Sequence, residues 1–213
     1  MLREVISNDL ITILIVICIT ILTIVKFSYS KRFNAFSLVV INTNYLKIYF
    51  RDHKYLDNFN VLLFLNQIIN IIIFTFLIYK TFTDYTVFDY VVFLKIILAF
   101  FVFIIAKVLL DVLVGWLFEI TPIIKSYIFQ KFNFKNFIGI VLIPINILIT
   151  FTIKPSETVV YGFITLLLLI NFIGFLSTFK NYQKLLISNT FYFILYLCAL
   201  EIGPYIILYK LFN

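Results

Sequence analysis

Long apolar runs that do not alternate with polar residues leave this chain few ways to fold. Six can be drawn, at residues 10–25, 59–79, 87–110, 137–153, 158–178 and 187–212. Their lengths bracket the ~20 residues that a helix needs to cross a hydrocarbon layer about 30 Å thick. Lipid offers the backbone no water to bond, so only helices and closed barrels span it. Barrel strands would alternate apolar and polar side chains, and these runs do not. The expected fold is therefore all-α: a polytopic transmembrane bundle of about six spans, one integral membrane domain over residues 1–213. Composition agrees, with 63% hydrophobic and 13% charged residues against roughly 25% charged in soluble domains.

The 17 basic residues outnumber the 10 acidic ones, for a net charge of +7. No basic stripe is interleaved with exposed aromatics, so nucleic acid is not an expected partner. The charges sit between the spans, where they report topology. One side gathers Lys26, Lys31, Arg32, Lys47, Arg51, Lys54, Lys125, Lys131, Lys135, Lys180 and Lys184. The other has Arg3, Lys80, Lys154 and Lys210, while Lys95 and Lys107 fall within the third run. Eleven against four predicts cytoplasmic odd-numbered connections, touching anionic headgroups, and both termini outside.

Two of those connections carry helical patterning of their own. In residues 36–50, Leu38, Ile41, Tyr45, Ile48 and Tyr49 share a stripe, with Asn42, Asn44, Lys47 and Arg51 off it. That is the pattern of an amphipathic helix lying in the headgroup layer. A second is expected from Thr121 and Pro122, a cap and a first-turn proline, through Ile123, Ile124, Tyr127 and Ile128. The external connections, 80–86 and 154–157, are short. Cys18 and Cys198 lie within apolar runs and read as small buried filler, not a disulfide framework. The first run follows Asp9 and has no small-residue cleavage site after it, so a retained helix is expected.

The most conspicuous polar residue is Glu201, near the middle of FYFILYLCALEIGPYIILYKLF, with Gly203 and Pro204 just after it. A charge at that depth costs at least about 2.5–3.5 kcal/mol, so it needs a partner, a proton or water. Proline removes a backbone donor and crowds the carbonyl four residues earlier, which places a kink beside the carboxylate. On the six-span layout Lys95 shares its depth, so the two can pair if the third and sixth spans touch. Three readings stay open: a pair that fixes helix register, a proton or ion site, or a protonated acid in an apolar pocket. Lys107 and Asp111, four apart, read as a local ion pair at a cytoplasmic helix end.

Asn66, Gln67 and Asn70 in the second span, and Asn171 in the fifth, read as polar contacts between helices. Pro144 beside Asn146 is a fainter version of the proline kink next to Glu201. His53 is the single histidine, and no HExxH, G-x-S-x-G or P-loop is present. No enzyme, metal or cofactor is expected.

The segment Leu195-Tyr196-Leu197-Cys198-Ala199-Leu200-Glu201-Ile202, with Pro204 following, resembles the closing motif of a family of small Bacteroidota membrane proteins. That family is catalogued as a domain of unknown function, numbered four-two-seven-one. The resemblance implies a multi-pass protein of a bacterial inner membrane with no assigned activity, and the charge bias expects its termini in the periplasm. Two functions are expected to compete. One is a non-enzymatic subunit or accessory of an envelope complex, partnered by another membrane protein or its own copies. The other is a small transporter or proton-coupled carrier built on Glu201.

Overall fold

The computed structural model describes residues 9–39, 45, 57–83, 90–117, 121–152 and 156–188. Among these residues every regular element is helical. Helix α1 (Asp9–Ser28) carries Asp9 in its first turn and Lys26 in its last, matching both ends of the helix dipole. It buries Ile11, Ile15, Cys18 and Val25 along one stripe. A turn at Tyr29 leads into the short α2 (Ser30–Ser37). Helix α3 (Asn58–Thr83) starts after Asp57, whose carbonyl accepts the Val61 N–H at 3.0 Å. Helix α4 (Tyr90–Leu117) follows, then α5 (Thr121–Ile147), which passes into a π-helical turn at Leu148–Thr152. Helix α6 (Glu157–Ser188) begins after Ser156, whose carbonyl accepts the Val160 N–H at 3.1 Å.

The packing is a hairpin sequence centred on α3 and α5. Cys18 lies against Asn66, and Val25 shares a cluster with Phe59, so α1 runs antiparallel to α3. Phe76 near the end of α3 meets Phe93 near the start of α4, ring centroids 5.4 Å apart. Gly139 backs onto Gln67 and Asn146 bonds Asn70, so α3 and α5 run parallel in direct contact. Gly174 of α6 presses on Phe134 of α5, while Tyr161 stacks edgewise on Phe82 at the end of α3. Helices α4 and α6 therefore return in the opposite direction.

The surface is inverted relative to a water-soluble domain. Asn60, Asn66, Gln67, Asn70, Gln130, Asn133, Asn136 and Asn146 are buried, while Leu94, Leu98, Val102, Ile105 and Leu109 of α4 face outward. Threonine hydroxyls along the helices fold back onto carbonyls four residues earlier, as Thr20, Thr75 and Thr165 do. That bond hides a polar group from an apolar surrounding. Four helical stretches (Asp9–Ser28, Asn58–Thr83, Phe129–Thr152 and Glu157–Gly174) are long and apolar enough to cross a membrane. They are the marks of a membrane protein.

Two boundaries differ from expectation. The amphipathic segment expected after Thr121 is not a separate helix, because α5 continues from it into the fourth apolar run. The reason is local: after Pro122 no proline interrupts the helix until Pro144. Of the helix expected over 36–50, the described residues are its start, where α2 ends at Ser37 and the Val39 N–H bonds the Phe36 carbonyl at 2.9 Å, and Tyr45, which is helical. Helix α6 runs on to Ser188, past the expected end at 178. Nearly all of the sixth run, 189–212, lies outside the described residues.

Candidate functional site

The buried polar residues fall into two groups along the α3–α5 contact. The upper group is a rung of carboxamides joining three helices. Asn70, fully buried, donates from Nδ2 to the Asn66 carbonyl at 2.9 Å and to Asn66 Oδ1. Asn66 Nδ2 reaches the Cys18 carbonyl of α1 at 3.4 Å. From α5, Asn146 Nδ2 donates to the Asn70 carbonyl at 3.1 Å and to Asn70 Oδ1 at 3.2 Å. In an apolar surrounding, each such interhelical bond contributes on the order of 0.6–2 kcal/mol.

Local sequence sets this rung. Asn66 and Asn70 are one helical turn apart, so their side chains meet on one face. Pro144 has no N–H for the Ile140 carbonyl, and the π turn begins just after Asn146. Thr150 Oγ1 donates to the Asn146 carbonyl at 2.7 Å, capping the widened turn from inside. Gly139 makes the close approach possible: a Cβ there would stand 2.7 Å from both Cα and Cβ of Gln67.

The lower group lies beneath α2. Arg32 is buried, ion-paired with Asp57, and its Nε donates to the Tyr45 hydroxyl at 3.4 Å. Its guanidinium sits 4.3 Å from the centre of the Phe59 ring. Around it, Phe36 stacks edgewise on Tyr45 and Phe59, with ring centroids 5.6 and 5.7 Å away, and Tyr29 meets Phe59. An arginine held by a carboxylate and an aromatic face fastens the α1–α2 corner to the start of α3. Asn60, Asn133 and Asn136 are buried at this same end of the bundle.

The expected site residues are distributed unevenly. Asn66, Gln67 and Asn70 are buried on α3. Asn171 is exposed on α6, because that helix meets the bundle through Phe163, Leu167, Ile170 and Gly174, a different face. Lys95 is exposed on α4. Lys107 and Asp111 belong to α4 by backbone, and their side chains are outside the described residues. Glu201, Gly203 and Pro204 are outside them as well. The expected pairing of Glu201 with Lys95 therefore lies outside the described residues. Sequence reading passed over Asn60, Asn133, Asn136 and the structural part of Arg32. The available signal was the KFNFKNF stretch, whose asparagines recur inside an aromatic run. Among the described residues no cluster of His, Cys, Asp and Glu could hold a metal ion.

A family model described as Domain of unknown function (DUF4271) matches residues 11–212. No curated protein and no solved structure matches the chain.

Proposed function

We propose that this chain, which belongs to the DUF4271 family, is a non-enzymatic inner-membrane protein that serves as a subunit or accessory of an envelope assembly. The carrying observation is how its interior amides are used: Asn66, Asn70 and Asn146 bond one another and the Cys18 carbonyl, fixing α1, α3 and α5 in register. Polar groups committed to holding helices together suit a scaffold better than a reaction centre. The outward apolar face of α4, through Leu94, Leu98, Val102, Ile105 and Leu109, supports contact with lipid or with helices of a neighbour. In this reading the protein lies in a bacterial inner membrane with about six spans and periplasmic termini.

The test is native mass spectrometry of the tagged protein extracted from its own membrane in lipid nanodiscs. A particle heavier than the 25.2 kDa chain is expected, either as copies of itself or with a defined companion. A bare monomer at every protein-to-lipid ratio would overturn the reading. The carrier alternative separates at Glu201, since Glu201→Gln would then abolish a pH-dependent phenotype at normal abundance. Under the accessory reading that substitution changes abundance or assembly instead.

A further inference from the structure

The amides beneath α2 are buried with hydrogen-bonding capacity that no group among the described residues meets. Asn60 is 2% exposed, Asn133 0% and Asn136 1%. Among the described residues Asn60 Oδ1 and Asn133 Oδ1 have no partner, although Asn133 Nδ2 donates to the Phe129 carbonyl at 2.8 Å. Asn136 has neither its oxygen nor its nitrogen satisfied among the described residues.

These three residues share one region of the fold. The Phe36 ring of α2 lies 5.7 Å from Phe59 and 6.4 Å from Phe137, which brings the start of α3 and the middle of α5 together under it. Asn60 follows Phe59, Asn136 precedes Phe137, and Asn133 is one helical turn before Phe137. Phe64, one turn after Asn60, and Phe132, one turn before Asn136, have ring centroids 4.7 Å apart across the same α3–α5 contact.

We propose that this region is an internal hydration site, where ordered water bridges α3 to α5 through Asn60, Asn133 and Asn136. Buried polar groups are nearly always bonded, and water is the usual partner where protein supplies none. Three acceptor oxygens alone would also suit a monovalent cation, but the unmet Asn136 Nδ2 is a donor and a cation cannot accept from it. Water both donates and accepts. An anion is disfavoured because oxygens dominate the set and the nearby Arg32 already holds Asp57.

The test uses the full chain in nanodiscs of deuterated lipid, with 15N-labelled asparagine and water-edited NMR. Asn136→Leu assigns the Asn136 amide signal by its loss. Expected are direct water cross-peaks to the Asn136 side-chain amide, unaffected by exchanging sodium for potassium, and weak or no water transfer to Asn70, whose amide bonds Asn66. A thermal melt supplies a second readout. If water bridges here, Asn136→Leu strands Asn60 and Asn133 and lowers the melting temperature, on the order of 2–6 °C. If the site is dry, the same substitution removes two unmet groups and the melting temperature rises. An Asn136 amide without water cross-peaks, or that rise, overturns the proposal. Cation-specific shifts of the three amides overturn it in favour of an ion site.

Discussion

Asn70 matters because of where its two ends go, not because it is polar. Its nitrogen serves Asn66 and its carbonyl and amide oxygens receive Asn146, so one side chain links its own helix to α5. Replacing it by leucine leaves the buried Asn146 amide with a reduced set of partners, and that deficit costs about 1–3 kcal/mol. For a chain of this size the melting temperature should fall by about 2–4 °C per kcal/mol. Asn171→Leu, at an exposed position, should stay within about 0.5 kcal/mol of the parent. A thermal melt in one detergent compares the two. If Asn171→Leu proved the more damaging, the exposed face of α6 would have to be a contact surface. Both residues are asparagines in apolar runs, and the sequence put them in one class. What separates them is which side of the helix faces a neighbour.

At the scale of the element, glycine position decides how closely helices approach. Gly139 and Gly162 are both helical, yet only the first is needed for packing. A methyl group at Gly139 would collide with the backbone of Gln67, which has no rotamer to move aside. Gly139→Ala should therefore cost about 1–3 kcal/mol by forcing α3 and α5 apart. Gly162 has nothing within 4 Å, so Gly162→Ala should gain about 0.5–1 kcal/mol from helix propensity alone. Opposite signs in guanidinium-free thermal melts would bear this out; equal losses would not. The same scale accounts for α5. Its amphipathic start and its apolar run looked like two objects because the pattern changes near residue 131. Pattern reports which surface a residue meets, whereas helix continuity depends on the backbone, and no breaker lies between.

For the whole molecule, the alternation of helix directions gives a topology that labelling can read. Cys18 and Cys198 would first be changed to alanine. A thiol at Thr83, the end of α3, or at Ser156, before α6, should react with an impermeant maleimide added outside spheroplasts. Lys31→Cys, in α2, should react only after permeabilisation. Labelling of all three from one side would contradict the antiparallel path seen from α1 to α3. The helix directions put α2 at the end of the bundle opposite Thr83 and Ser156, and the labelling asks whether those ends lie on the two sides that the positive-charge bias expects.

Apolar run length and the lack of alternation were enough to specify long helices and an apolar exterior, because a lipid-compatible backbone has almost no other solution. The sequence also marked Asn66, Gln67 and Asn70 as polar intruders in such a helix. It did not reveal that Asn146 completes their bonding, that Asn60, Asn133 and Asn136 gather under α2, or that Arg32 is structural and not merely a topology charge. Those facts depend on residues far apart in the chain arriving at one depth on facing helix surfaces. Rotation and register between helices are set by packing, at contacts such as Gly139 on Gln67, and a single sequence carries no direct record of them.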